Sequence, residues 1–147
     1  MLQIKIKKYS ELTKDELYEI LQLRSEVFVV EQDCVYQDID FKDQKAVHIL
    51  GYKNEKIVAY TRIFKPGDYF NKASIGRVVV AEKERINGFG HIIFEASIKA
   101  VKDYFNEKII KISAQKYLKK FYESHGFIQK GQEYLEDGIP HIEMLNE

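Results

Sequence analysis

The chain has very few of the residues that cross-link or interrupt a protein. It contains 147 residues, with a single cysteine, Cys34, and 2 prolines. One cysteine excludes an internal disulfide framework and a cysteine-based zinc cluster, and it suits a reducing cytoplasm. The 2 prolines leave no proline-rich linker to divide the chain. We therefore expect one domain over residues 1–147, without a metal ion.

Net charge and long apolar runs are also missing. The 23 Lys and Arg residues balance 23 Asp and Glu residues, whereas general nucleic-acid binders carry a basic excess. No apolar run approaches the roughly 20 residues that a membrane span needs. After Met1 the chain alternates apolar and charged residues, which is typical of a strand and not of a signal peptide. We expect a cytoplasmic protein that binds neither nucleic acid nor membrane.

The apolar content, 45% with 13% aromatic residues, is that of a folded domain. A capping box at Thr13 and Glu16 predicts the start of a helix, and Gly126 predicts a left-handed helix end. Apolar runs predict strands at 2–7, 47–52, 57–64, 74–80, 108–114, 127–136 and 139–145. Helical spacing predicts helices at 14–29, from 88–90 to 105, and at 117–124, with 92, 93, 96, 100 and 101 as the apolar face of the second.

This order, β, α, β, β, β, α, β, α, β, β, contains a strand–helix–strand unit in its middle. Parallel strands need such a crossover, whereas hairpins pair antiparallel strands. Asp137 and Gly138 form a hairpin-favouring pair between the last two strands. The pattern therefore predicts an α/β (α+β) domain with a mixed sheet.

One segment has the properties of an anion-binding site. The buried strand at Val78–Val80 runs into a turn with Arg85, Gly88 and Gly90, and this turn opens a helix at about His91. A helix start presents unpaired backbone N–H groups and the positive end of its dipole. Glycines let the backbone approach a bulky anion, and arginine offers a planar fork to phosphate oxygens. The segment thus predicts a phosphate or pyrophosphate site.

The same spacing also fits a plain strand-to-helix turn with glycines for packing and a solvated arginine. It is not a Walker loop, because no Gly-Lys-Ser/Thr follows. It is not a Rossmann fingerprint, because one glycine of G-x-G-x-x-G is absent. ATP binding is disfavoured because no metal-binding Ser/Thr or partner Asp lies at the required spacing.

Two motifs carry a resemblance to a known family. The turn from Arg85 to Gly90 resembles the R/Q-x-x-G-x-G/A loop of the GNAT superfamily of acyl-CoA N-acyltransferases. Further along the chain, Tyr122 to Phe127 resembles that family's Tyr-x-x-x-Gly-Phe segment. Residues 23–32, 36–40, 48–51, 75–78 and 136–142 resemble the ElaA branch. The chain departs from that branch at Val35, where proline is expected, and from many GNAT loops at Asn87.

The resemblance implies transfer of an acetyl group from acetyl-CoA to an amine. It implies a twisted sheet of about seven strands, mostly antiparallel, with helices on both faces and the fourth and fifth strands splayed. The backbone at Val78, Val79 and Val80 would then bind pantetheine, and Tyr122 would protonate the leaving thiolate. The pyrophosphate loop would comprise Arg85, Ile86, Asn87, Gly88, Phe89, Gly90 and His91.

The acceptor side is less defined by the sequence. The acceptor is expected to be a small-molecule or peptide amine, and the general base is left open among Glu31, Asp38, Asp40, Glu82, His48, His141 and ordered water. Arg77 lies on a buried strand and needs a ligand or a partner, for example an acidic neighbour such as Glu31. The expected acceptor-site residues are Arg24, Phe28, Glu31, Gln32, Asp38, Asp40, His48, Arg77 and His141.

Two further readings stay open at this stage. A solvated acidic loop would explain Glu31, Asp38 and Asp40 equally well. A non-catalytic module that senses acyl-CoA would share the cofactor residues but would lack turnover. Because the predicted sheet has edge strands that could pair with a second copy, the sequence is also compatible with a homodimer.

Overall fold

A computed structural model describes residues 1–146 of the chain. The strands are β1 (Gln3–Lys8), β2 (Val47–Lys53), β3 (Lys56–Phe64), β4 (Ala73–Val80), β5 (Ile110–Gln115), β6 (Ile128–Glu136) and β7 (Ile139–Asn146). The α-helices are α1 (Lys14–Arg24), α2 (Phe89–Phe105) and α3 (Lys119–Glu123). The predicted element order is confirmed.

The strands form one seven-stranded sheet in the order β1-β2-β3-β4-β5-β7-β6. Neighbouring strands are antiparallel except for β4 and β5, which are parallel and joined through α2. The mostly antiparallel mixed sheet is therefore confirmed, including the crossover in the middle of the chain.

Helices cover both faces of the sheet. Ile20 and Leu23 of α1 pack in one buried cluster with Leu50 of β2. Phe94 of α2 packs in the other cluster with Ile49, the neighbour of Leu50 on the same strand. Because successive strand residues point to opposite faces, α1 and α2 lie on opposite sides of the sheet.

The apolar face of α2 differs in part from the predicted one. Ile93, Ala100 and Val101 are buried as expected, but Ile92 is 44% exposed. Phe94, which was not assigned to the apolar face, is fully buried. Positions 92 and 94 lie at equal angles on either side of the buried Ile93 on the helical wheel. Helical spacing alone therefore does not decide which of the two belongs to the buried face.

The first helix begins as predicted and ends differently. The Glu16 backbone N–H donates to Thr13 Oγ1 at 3.0 Å, and the Thr13 N–H donates to Glu16 Oε1 at 2.9 Å, which is a complete capping box. The α geometry stops at Arg24, and the chain continues as a π-helix over Ser25–Glu31. β-Branched side chains crowd an α-helix, and residues 27, 29 and 30 are all valine.

Glu16 makes the stability of this fold sensitive to acid. Burial acts to raise the pKa of Glu16, but Lys7, the Thr13 N–H and Tyr52 outweigh it and lower the pKa to about 2. The unfolded carboxyl titrates at about 4.3. We therefore expect Glu16 to make its whole contribution to the free energy of unfolding above about pH 4.3 and to lose it as the pH falls to about 2. In Glu16→Gln the free energy of unfolding should fall less steeply over this range.

Urea unfolding at a series of pH values measures this effect. Glu55→Gln, an exposed carboxyl in the turn between β2 and β3, is the matched control and should keep the wild-type slope. A Glu16→Gln curve with the same pH dependence as wild type would contradict the assignment.

Candidate functional site

The sheet opens between β4 and β5. These strands pair only at Ala73 with Ile110 and at Ser74 with Lys111. Beyond Ser74 the two strands diverge, which leaves the β5-facing backbone edge of β4 without a strand partner. A cavity of about 680 Å³ occupies this gap. The splayed strands that the sequence resemblance implied are therefore present.

The cavity has two differently composed ends. One end is formed by the last residues of β4, the loop before α2, and α3. The other is formed by the segment after the π-helix, by β5, and by the β6–β7 hairpin. Among the sequence-predicted residues, those lining it are Phe28, Glu31, Gln32, Arg77, Val78, Val79, Val80, Arg85, Gly88, Gly90, His91, Tyr122 and His141.

A bulge in β4 shapes the wall of the cavity. The register against β3 shifts between the pairs Arg62–Gly76 and Tyr60–Val79, and Arg77 has a φ of 51°. A bulge bends its strand and re-aims the side chain at that position. Arg77 Nε donates to Asp38 Oδ1 at 2.8 Å. Its acidic partner is therefore Asp38, whereas the sequence analysis had suggested Glu31.

The loop between β4 and α2 forms the basic end. A 3₁₀ turn over Glu82–Asn87 leads into Gly88, whose φ of 73° favours glycine. Three of the predicted loop residues do not line the cavity. Ile86 is 92% exposed, Asn87 donates to Glu84, and Phe89 is buried in the core.

Arg85 is already engaged on both sides of its guanidinium. Its Nε donates to the Val80 carbonyl at 3.0 Å, and Nη1 and Nη2 donate to the two oxygens of Glu31 at 2.6 and 2.8 Å. The hydrogen bond from Arg85 lowers the pKa of Glu31. Glu31 therefore neutralises Arg85 at the basic end instead of facing the acceptor end as predicted.

Two histidines extend the basic end. His91 Nδ1 lies 2.9 Å from His125 Nε2, and His125 Nδ1 contacts a carboxylate oxygen of Glu95. The His125 ring packs on Phe94 and Phe121. Sequence reasoning found His91 but missed His125, because the contact joins α2 to the turn after α3, which lies 34 positions further along the chain.

Tyr122 lies in the cavity wall at the end of α3. It is 6% exposed and packs edge-to-face against Phe94 and Phe121, with ring centroids at 5.2 and 5.1 Å. Burial raises the pKa of the phenol well above its usual range. The hydroxyl is therefore protonated at neutral pH, as a proton donor must be.

A buried ion network holds the loop after the π-helix. Arg24 donates to Asp38 Oδ2 at 3.0 Å and to Asp43 Oδ1 at 2.8 Å, and Arg62 donates to Asp43 Oδ1 at 2.8 Å and to Asp40 Oδ2 at 2.6 Å. Burial acts to raise the pKa of Asp43, but the two arginines outweigh it and lower the pKa. Sequence reasoning missed Asp43 and Arg62.

Four predicted acceptor-site residues lie in this network, outside the cavity lining: Arg24, Asp38, Asp40 and His48. His48 is fully buried, and its Nε2–H donates to the Asp43 carbonyl at 2.9 Å. Its Nδ1 accepts from the Tyr60 hydroxyl at 2.6 Å. Both ring nitrogens of His48 are thus used inside the fold, and burial lowers its pKa.

Similarity to known proteins identifies the family to which this chain belongs. Residues 9–147 match the model of the acetyltransferase (GNAT) domain. The chain belongs to the GNAT family. It is 45% identical to the protein ElaA of Escherichia coli strain K12 over 141 residues, which cover 95% of this chain and 92% of that protein. The resemblance of this GNAT protein to the ElaA branch is therefore confirmed.

Solved structures agree with this assignment. The crystal structure of Escherichia coli ElaA matches all of both chains with a TM-score of 0.93 and 42% identity. The crystal structure of an acyl-CoA N-acyltransferase from Pseudomonas aeruginosa matches all of both chains with a TM-score of 0.94 and 37% identity. Family membership supports acyl transfer from a CoA thioester.

Residues 1–146 contain neither a membrane-spanning helix nor a cluster of metal-ligating side chains. None of the helices there is long and apolar enough to cross a membrane. That part of the chain also contains no group of three or more His, Cys, Asp or Glu side chains placed to hold a metal ion.

Proposed function

We propose that this GNAT protein transfers an acetyl group from acetyl-CoA to a primary amine by direct attack. One observation carries the proposal: the unpaired edge of β4, the basic loop before α2, and the Tyr122 hydroxyl converge on one cavity. A thioester cofactor needs all three, because it has amides along its arm, phosphates at one end and a thiol leaving group at the other.

Acetyl-CoA would lie along the gap between β4 and β5. The backbone of Val78–Val80 would pair with the pantetheine amides as an added strand does. Arg85, the N–H groups at Gly88 and Gly90, and His91 would hold the pyrophosphate at the start of α2. Ile86, Asn87 and Phe89 would shape this loop without touching the phosphates.

The reaction is proposed to proceed in one transfer. A neutral amine attacks the thioester carbonyl, and the electrons of the C–S bond pass to sulfur. Tyr122 donates its phenolic proton to the departing thiolate. The buried aromatic surroundings of Tyr122 keep that proton in place until the thiolate forms.

The acceptor would enter at the other end of the cavity. Phe28, Gln32, Arg77 and His141 line the cavity, and we assign them to this end. We propose that Arg24, Asp38, Asp40 and His48 position the wall rather than touch the amine, since their polar atoms are engaged inside the network. The cytoplasmic setting, the homodimer and the class of amine, small molecule or peptide, stay predictions.

An acetyl-CoA consumption assay against an amine panel tests the activity. Spermidine, lysine methylamide and the N-terminus of a tripeptide represent the amine classes, with thiol release as the measurement. We expect turnover with at least one of them and acetylated amine by mass spectrometry. Tight acetyl-CoA binding without turnover on any amine would instead indicate the non-catalytic sensing module.

The basic loop is tested by calorimetric acetyl-CoA binding. Arg85→Glu places like charge against phosphate, and Gly88→Val forces a β-branched residue to a φ of 73°. Hydrogen bonds to charged groups contribute about 1.5–3 kcal/mol, so we expect each variant to lose roughly tenfold or more in affinity. Ile86→Ala, at an exposed neighbour, should bind as wild type. Wild-type affinity in both loop variants would refute the pyrophosphate assignment.

Substitution of Glu31 should change the affinity for acetyl-CoA in the opposite direction. Removing its carboxylate frees both guanidinium nitrogens of Arg85 for phosphate. Partly exposed ion pairs are worth about 0.2–1 kcal/mol, so Glu31→Gln should tighten acetyl-CoA binding by up to about fivefold. Weaker binding would show that Glu31 orients Arg85 instead of competing with phosphate.

A further inference from the structure

The β6–β7 hairpin brings a titratable cluster into the cavity that the acyl-CoA end does not use. Glu136 and His141 both line the cavity, and His141 Nε2 lies 3.8 Å from Glu136 Oε2. His141 is 7% exposed. Since β7 pairs with β5 through His141 and Gln115, this cluster lies on the β5 side of the gap, across from β4.

The surroundings of His141 fix its neutral tautomer. Its Nδ1 lies 2.7 Å from the carbonyl oxygen of Ile139. A carbonyl only accepts, so Nδ1 carries the hydrogen and donates it. The other nitrogen, Nε2, therefore holds a lone pair in the neutral ring. That is the form of histidine that takes a proton from a substrate.

Glu136 is held in place beside that lone pair. Ser113 Oγ donates to Glu136 Oε1 at 3.0 Å, and the Tyr134 hydroxyl lies 2.5 Å from Ser113 Oγ and donates to it. The Tyr134 ring also stacks on His141, with centroids at 6.2 Å. Glu136 Oε2 is thereby left toward His141, where a carboxylate attracts a cationic amine.

We propose that His141 is the general base of the transfer and that Glu136 draws the cationic amine to it. This inference rests on the proposed acetyl transfer. It selects one base among the carboxylates, the two histidines and the ordered water that the sequence left open. His48, the other candidate histidine, has both ring nitrogens bonded inside the fold and lies outside the cavity.

Every proton in the proposed step is accounted for. An amine arrives as R–NH₃⁺, and His141 Nε2 takes one proton and passes it to solvent. The free amine forms the C–N bond, and the C–S electrons pass to sulfur. The thiolate takes the Tyr122 proton, and the second proton lost from nitrogen restores the phenol through solvent. The net reaction is R–NH₃⁺ plus acetyl-S-CoA to R–NH–acetyl, HS-CoA and H⁺.

Chemical rescue tests the role of His141. With acetyl-CoA and the best amine of the panel, His141→Ala should lose about 10²-fold or more in kcat, within the range of general base catalysis. Added imidazole should restore part of that rate, because it replaces the missing base. His91→Ala, a histidine at the other end of the same cavity, is the matched control and should gain nothing from imidazole.

Each outcome decides the proposal. An active His141→Ala with near wild-type kcat, or a folded inactive one that imidazole does not rescue, would overturn the base assignment while acetyl transfer stands. Absence of turnover by wild type on every amine would remove the proposed function itself. Glu136→Gln should raise the KM for the cationic amine and leave that for acetyl-CoA unchanged, and an equal change in both would remove its role.

Discussion

Tyr122→Phe is expected to lower kcat by roughly 10²–10⁴-fold while acetyl-CoA still binds, the typical contribution of general acid catalysis. Phenylalanine keeps the ring that packs on Phe94 and Phe121 and removes only the hydroxyl. Packing of α3 and the affinity for acetyl-CoA should therefore survive. The loss should appear in kcat, because the hydroxyl acts on the thiolate that forms only as the C–S bond breaks.

Thiol release with saturating amine, together with calorimetric acetyl-CoA binding, measures this effect. Tyr117→Phe is a suitable control, since Tyr117 also lines the cavity but is 72% exposed. A Tyr122→Phe protein with wild-type affinity and wild-type kcat would refute the acid role of Tyr122, and either water would supply the proton or the thiolate would leave unprotonated.

Arg24→Met is expected to have the largest effect on stability. Arg24 is fully buried and bridges Asp38 to Asp43, so its removal leaves two carboxylates without their shared cation. Breaking a buried pair from one side costs about 3–5 kcal/mol, because the remaining charge stays uncompensated. The Arg62 and Arg77 contacts to these carboxylates place the expected loss at the lower end of that range.

Urea unfolding compares this variant with Lys99→Met. Lys99 pairs with Asp103 one helical turn away, but it lies on the exposed face of α2, so its loss should leave the unfolding midpoint unchanged. Equal midpoints for Arg24→Met and wild type would show that Arg62 and Arg77 alone hold the loop.

Local patterns allowed much of the fold to be predicted. The capping box at Thr13, the crossover around α2 and the left-handed Gly126 follow from residues close together in the sequence. The same holds for the position of the loop from Arg85 to Gly90 between a strand and a helix, although the positive φ of Gly88 was not predicted. These features were predictable because the residues that form a cap or a turn lie next to it in the sequence.

Partners distant in the sequence could not be predicted. Glu31 pairs with Arg85 across 54 positions, and Gln32 meets Gln115 across 83. The bulge at Arg77 turns that side chain to Asp38. No periodicity reports such contacts, because they depend on how the π-helix and the following loop fold over the sheet.

Hydrogen exchange with and without acetyl-CoA tests the central claim most directly, which is that the gap between β4 and β5 holds the cofactor. The account predicts slower exchange in peptides that cover Gly76–Val80 and Arg85–His91, because bound pantetheine and phosphates would occupy their free N–H groups. The β1–β2 pair, on the far edge of the sheet, should be unchanged. Saturating acetyl-CoA that leaves both segments unprotected would contradict the account.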